Sequence, residues 1–301
     1  MEIVVAAPRG FCAGVVRAID VVDLCLERFG SPVYVRREIV HNPYVVSALR
    51  DKGAIFVDEL TEVPDGQRVV FSAHGVSPDV WEDSKERNLE VVDATCPLVT
   101  KVHLEAIKYA GEGYSIILVG HRGHEEVIGT IGEAPEESIL VTSVSEARAA
   151  QVTHPEKVVV LTQTTLSVDD TSEIIGVLRE RFPNLLSRTD ICYATTNRQA
   201  AVKTIAKQVD LILVIGAQNS SNCNRLREVA EAEGVTAYLI NGPEDMSDEW
   251  FDGVDRIGIT SGASTPERLV DEVVAKLNPD TVRSVIETQE DVTFVLPKIL
   301  R

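Results

Sequence analysis

The chain has 301 residues, 44% hydrophobic and only 5% aromatic, enough to bury a sizeable core in two or three domains. A net charge of −18 excludes a surface built for nucleic acid or for an anionic membrane, since either needs a basic face. No apolar run is long enough for a membrane span and no cleavable basic leader opens the chain, so a cytoplasmic protein is expected; its five cysteines then favour metal or redox roles over disulfides.

In chain order, a short strand over residues 3–7 turns at Gly10 and reaches Cys12. A helix follows, with apolar residues at Val15, Val16, Ile19, Val22, Leu24 and Leu26 at roughly helical spacing. Ser31-Pro32 breaks it. A strand over 32–40 leads to His41-Asn42-Pro43, and a short helix carries Val45, Val46 and Leu49. Strands are expected at 54–57 and 68–72, the latter ending at His74-Gly75. Ser77-Pro78 reads as the N-cap and first residue of a helix, and residues 89–93 lead to Cys96.

The same order returns twice. After Cys96 come a helix over 98–109, a strand over 115–120 ending in His121-Arg122-Gly123-His124-Glu125-Glu126, and strands over 138–142 and 157–162. The last of these ends at Gln163-Thr164-Thr165, and Ser167 caps the next helix. After Cys192 come a helix over 196–208, a strand over 210–216 ending near Ser220-Ser221-Asn222, and a helix with Leu226, Val229 and Ala230. Strands over 236–240 and 255–260 follow, the second ending at Ser261-Gly262-Ala263-Ser264 before the last long helix. Residues 291–296 read as one more strand. The expectation is an α/β fold of three pseudo-symmetric units, 1–95, 96–191 and 192–280, with the tail 281–301 packed on the first.

Cys12, Cys96 and Cys192 recur at intervals of 96 − 12 = 84 and 192 − 96 = 96 residues, each where a strand hands over to a helix. Free N–H groups and the positive helix end stabilise a thiolate there. Three such corners packed about one axis would hold one metal centre and leave a position open. Zinc sites usually draw cysteines in close pairs, which this chain lacks, whereas an iron–sulfur cluster tolerates scattered ligands. Cys25 and Cys223 read as packing residues, and His103 and His154 as surface residues.

The polar strand ends form a second set: His41, His74, His124, Thr164, Ser220, Asn222 and Ser264. Parallel sheets bind ligands beyond the carboxyl ends of their strands, and imidazoles, hydroxyls and helix N-termini are the parts of a phosphate or diphosphate site. Glu126 is the carboxylate placed among them. Burial and nearby negative charge would raise its pKa and suit it to donate a proton. Glu125 is its rival. No nucleotide-binding glycine motif is present.

Gly10-Phe11-Cys12-Ala13-Gly14-Val15, His41-Asn42-Pro43, Ser72-Ala73-His74-Gly75, Asp93-Ala94-Thr95-Cys96-Pro97, Gln163-Thr164-Thr165-Leu166-Ser167, Cys192-Tyr193-Ala194-Thr195, Asn219-Ser220-Ser221-Asn222 and Gly262-Ala263-Ser264-Thr265-Pro266 together resemble the LytB (IspH) family of 4-hydroxy-3-methylbut-2-enyl diphosphate reductases. The resemblance runs nearly end to end. It implies a trefoil-like arrangement of three α/β units around a central iron–sulfur cluster and substrate cavity. It implies a 4Fe-4S cluster on Cys12, Cys96 and Cys192, with one iron lacking a protein ligand. The diphosphate would be held by His41, His74, His124, Ser220, Ser221, Asn222 and Ser264. Glu126 and Thr164, with His124 beside them, would handle the substrate alcohol and its proton. The family makes isopentenyl and dimethylallyl diphosphate in the last step of the methylerythritol phosphate isoprenoid route, with electrons from a flavodoxin or ferredoxin. A proline is common in the family where this chain has Glu125. The competing readings are a non-catalytic iron–sulfur sensor or electron carrier, and a zinc-dependent hydrolase.

Overall fold

The computed structural model describes residues 1–188 and 190–301; Thr189, which opens the third cysteine motif, lies outside the described residues. In chain order the elements begin β1 (Glu2–Ala7), α1 (Ala13–Phe29), β2 (Val33–Arg36), α2 (Pro43–Asp51), β3 (Ala54–Val57), β4 (Arg68–Phe71), α3 (Pro78–Glu86) and β5 (Glu90–Asp93). They continue with α4 (Pro97–Gly111), β6 (Ser115–Val119), α5 (Glu125–Glu133), β7 (Ser138–Val141), α6 (Val144–Ala149), β8 (Val158–Thr162), α7 (Val168–Arg181) and β9 (Leu186–Ser187). The last are α8 (Tyr193–Ala206), β10 (Leu211–Ile215), α9 (Ser221–Ala232), β11 (Thr236–Ile240), β12 (Arg256–Ser261), α10 (Glu267–Leu277) and β13 (Thr281–Ile286). Among the described residues no helix is long and apolar enough to cross a membrane.

The strands form three all-parallel sheets, ordered β11-β10-β12-β1-β13, β3-β2-β4-β5 and β7-β6-β8-β9. The order is one pattern used three times: second strand, first, third, then the strand that leads to a cysteine. β5 leads to Cys96, β9 to Cys192 and β1 to Cys12. The strand before Cys12 therefore pairs with β12, a strand from the other end of the chain.

Contacts divide the chain into two compact units, each described by itself. One comprises Met1–Val15, His41–Val45 and Cys192–Thr293. Its sheet is covered on both faces. Ile3 and Val5 of β1 join one core with Leu211, Leu213 and Ile215; Val4 and Ala6 join the other with Ile212 and Val214. Such two-sided burial is why these strands read as unbroken apolar runs. The other unit comprises Val16–Val40, Val46–Ile191 and Phe294–Arg301, and holds the remaining two sheets. Alternate residues of β6 and β8 again enter two separate cores.

Four expectations differ from the structure. The strand expected over 32–40 ends at Arg36, because Arg37 adopts a left-handed backbone (φ 60°) and its N–H bonds the carbonyl of Val57. Residues 291–296 form no strand; the tail strand is β13, on the edge beside β1, and its largely exposed side chains give no core-facing pattern. α5 and α6 fall in segments where no element is expected. His103 is buried, bound through Nδ1 to Glu133 at 2.8 Å.

Candidate active site

In the first unit the polar groups gather at the carboxyl ends of the sheet. Gly10 turns the chain after β1 at φ +67°, a conformation glycine adopts without strain. Cys12 follows, half-buried, immediately before α1, and its N–H donates to the carbonyl of Ala263 at 3.1 Å. The next residue of that loop, Ser264, is buried and its hydroxyl donates to the carbonyl of His41 at 3.0 Å. The loop also lies against the head of α9. A Cβ on Gly262 would fall 2.2 Å from Cys223 Sγ and 3.4 Å from Asn222 Nδ2, so only glycine fits.

Ser220 caps α9, accepting from the N–H of Cys223. Asn222 is 4% exposed, and its amide oxygen and nitrogen both lack a hydrogen-bond partner among the described residues. Leaving such groups buried and unpaired costs about 1–3 kcal/mol. A ligand that both accepts and donates, or an anion with bridging water, would recover that cost. Cys192 is the N-cap residue of α8, with Thr195 Oγ1 at 3.2 Å from its sulfur. The hydroxyl of Tyr193 accepts the N–H of Ala13 at 3.2 Å. The neighbours of Cys12 and Cys192 are thereby joined directly.

In the second unit Cys96 caps α4, with Pro97 as its first residue, and its N–H donates to the carbonyl of Ala73. That bond sets it one residue from the His74 turn. Ser72 Oγ lies 3.3 Å from His74 Nδ1, and the His74 and His124 rings meet edge to face, 5.9 Å between centroids. His124 caps α5 with its own ring: Nδ1 accepts the N–H of Glu126 at 3.2 Å. The Glu126 carboxylate is 2% exposed. One oxygen accepts the N–H of Thr164 at 2.6 Å and the other its hydroxyl at 3.0 Å. Burial pushes the Glu126 pKa up to about 7; the two Thr164 bonds oppose this and the charge of Asp190 adds to it. Desolvation, one of the two expected causes, is the leading one; the like charge that adds to it comes from Asp190, a residue not expected in that role.

Glu125, the rival carboxylate, is engaged elsewhere. It forms ion pairs with Arg36 at 3.4 Å and with Arg37 at 3.6 Å. It anchors the start of α5 where a proline would have stiffened it. Gln163, read only as part of a motif, is 1% exposed and ties the two strand ends together by accepting the N–H of His121 at 2.9 Å. No periodicity or spacing distinguished it.

None of the five cysteines, all of them among the described residues, is in a disulfide. Cys25 and Cys223 are buried, and burial pushes both thiols up to about 11. Cys12, Cys96 and Cys192 are the accessible three, each at a helix N-terminus. Chemically that donor set suits a cluster, in which each thiolate takes a different iron. Among the described residues no three Cys, His, Asp or Glu side chains gather as ligands of a single metal ion.

The fold is that of an α/β enzyme, with accessible cysteines at helix N-termini, polar residues at strand ends and a buried carboxyl whose pKa is raised. Residues 3–278 match the LytB protein family, and the chain belongs to it. It is 52% identical to the 4-hydroxy-3-methylbut-2-enyl diphosphate reductase of Acinetobacter baylyi, over all of this chain and 98% of that protein. The solved structure of the E-1-hydroxy-2-methyl-but-2-enyl-4-diphosphate reductase from Plasmodium falciparum is similar with a TM-score of 0.96 and 40% identity, covering 100% of this chain and 96% of that one. A second solved structure, (E)-4-hydroxy-3-methyl-but-2-enyl diphosphate reductase, the terminal enzyme of the non-mevalonate pathway, gives a TM-score of 0.65 at 34% identity over 92% of this chain and 99% of that one.

Proposed function

We propose that this chain reduces (E)-4-hydroxy-3-methylbut-2-enyl diphosphate to isopentenyl and dimethylallyl diphosphate, the reaction for which its relatives are named. It is an oxidoreductase of the non-mevalonate isoprenoid route. Full-length similarity to reductases, at about half identity, is the observation that carries the assignment.

In this reading Cys12, Cys96 and Cys192 hold a 4Fe-4S cluster, one iron of which has no protein ligand. When bound, that cluster supplies single electrons and a Lewis-acidic iron for the substrate hydroxyl. His41, His74, His124, Ser220, Ser221, Asn222 and Ser264 bind the diphosphate, whose binding energy positions the reacting carbon. The unpaired amide of Asn222 supports its place in that set.

Overall the reaction takes up two electrons and two protons. One proton leaves with the hydroxyl as water; the other goes to either end of the allyl unit. Glu126 holds a proton on its carboxyl near neutral pH, and Thr164 fixes that carboxyl and presents a hydroxyl beside it. The electrons come from a flavodoxin or ferredoxin type of donor, in the cytoplasm. The chain is organised as three copies of one unit, a reading that the thrice-used strand order supports; the boundaries 1–95, 96–191 and 192–280 with the tail 281–301 follow the chain order, while β1 and β13 lie in the sheet of the third copy.

The assignment is tested by giving anaerobically purified, iron-loaded protein a chemical reductant and the hydroxylated diphosphate. Formation of both isoprenoid diphosphates is expected; unchanged substrate with full iron loading would overturn it.

A further inference from the structure

Arg198, on α8, is 0% exposed and ranks first by volume among the fully buried side chains. A buried cation needs a specific task or a partner, since desolvation alone costs several kcal/mol. Its Nη2 donates to the carbonyl of Gly10 at 2.8 Å, and its Nη1 to the carbonyl of Ala194 at 2.9 Å. Its counter-charge is Glu290, reached from Nη1 at 3.0 Å and from Nη2 at 3.4 Å. Asn197 Nδ2 donates to the same carboxylate at 3.1 Å. Glu290 lies beyond β13, on a stretch without regular structure, yet its side chain is only 14% exposed.

These bonds converge on the turn that presents Cys12. The Gly10 carbonyl is held by Arg198, the Cys12 N–H by Ala263 and the Ala13 N–H by Tyr193. Two of the three holders, Arg198 and Tyr193, stand on the helix that Cys192 caps. We propose that Arg198 and Glu290 are positioning residues for Cys12: the tail carboxylate orients the guanidinium, and the guanidinium locks the 10–12 turn onto the helix of Cys192. The proposal rests on the reading above, in which both sulfurs hold one cluster. It adds that the C-terminal tail sets how firmly the first of them is held.

The test uses the full chain in two states. In iron-free, reduced protein, alkylation of each cysteine by iodoacetamide is followed by peptide mass spectrometry. In anaerobically loaded protein, iron loss to a chelator is timed. Glu290→Ala is expected to alkylate Cys12 about tenfold faster, the worth of roughly one charge-assisted hydrogen bond, with Cys96 unchanged. Iron loss should accelerate in parallel. Arg198→Lys keeps the charge but loses the planar fork, so it should act in the same direction and serves if Glu290→Ala does not fold. A Cys12 rate within twofold of wild type in a folded variant overturns the proposal, as does equal acceleration of Cys96, which would mean general loosening. Failure of every form to bind iron would sink the functional reading, while the alkylation comparison would still decide the positioning claim.

Discussion

Thr164 holds both carboxylate oxygens of Glu126, one through its backbone N–H at 2.6 Å and the other through its hydroxyl at 3.0 Å. The backbone bond fixes where the carboxyl sits regardless of side chain; the hydroxyl can pass or receive a proton. Glu126→Gln keeps the shape and removes the acid. Turnover should fall by roughly 10²–10⁴, the usual worth of a general acid, with much less change in diphosphate affinity. Single-turnover kinetics and a binding titration check this. Near-normal turnover would remove Glu126 from the mechanism.

The raised pKa of Glu126 has a consequence for stability. The folded protein holds this proton up to about pH 7, whereas an unfolded glutamate releases it near pH ~4.3. Between those values the native state binds more protons than the unfolded state, so the group's contribution falls as pH rises through the window. Denaturant unfolding of wild type and Glu126→Gln should therefore diverge from pH 5 to pH 7, with wild type losing stability relative to the variant. Parallel curves would show that the carboxyl titrates alike in both states.

Cysteine substitutions should separate two classes. Cys96→Ser, at the head of α4, should lower iron content and activity together. Cys223→Ala removes a buried thiol packed between Gly216 and Gly262, and should keep its iron while losing about 1–3 kcal/mol of stability. Iron analysis and thermal unfolding of each variant decide it. Normal iron and activity in Cys96→Ser would refute its role as a ligand.

Asn222 offers a cleaner binding test than the serines. Its amide has no partner among the described residues, so Asn222→Ala breaks no hydrogen bond among them. Affinity for inorganic diphosphate should fall about 10–100-fold, as for a hydrogen bond to a charged group, with the melting temperature little changed. A large drop in melting temperature with unaltered affinity would mark it as structural.

Much of this was legible in the sequence because parallel strands covered on both faces appear as apolar runs ending in polar turns. β6, β8, β10 and β12 are such strands, and His124, Thr164, Ser220, Asn222 and Ser264 follow their ends. The matched cysteines were legible from their near-regular spacing along the chain. What escaped lay where local pattern and tertiary context part. α5 carries two glycines, Gly129 and Gly132, which weaken its helical signal, yet His124 caps it. β13 is an exposed edge strand with no core-facing period. His103 looked like a polar surface residue because nothing in its neighbourhood announces Glu133, 30 residues away, as its partner. Arg198 and Glu290 are 92 residues apart and carry no motif.

The central claim is that Cys12, Cys96 and Cys192 together hold one iron–sulfur cluster. Iron and acid-labile sulfide per chain in anaerobically purified protein test it most directly, read alongside the visible spectrum. The account predicts about four of each per chain, falling sharply when any one of the three cysteines is replaced by serine. Stoichiometric zinc without sulfide, or a full cluster that survives loss of all three cysteines, would contradict it.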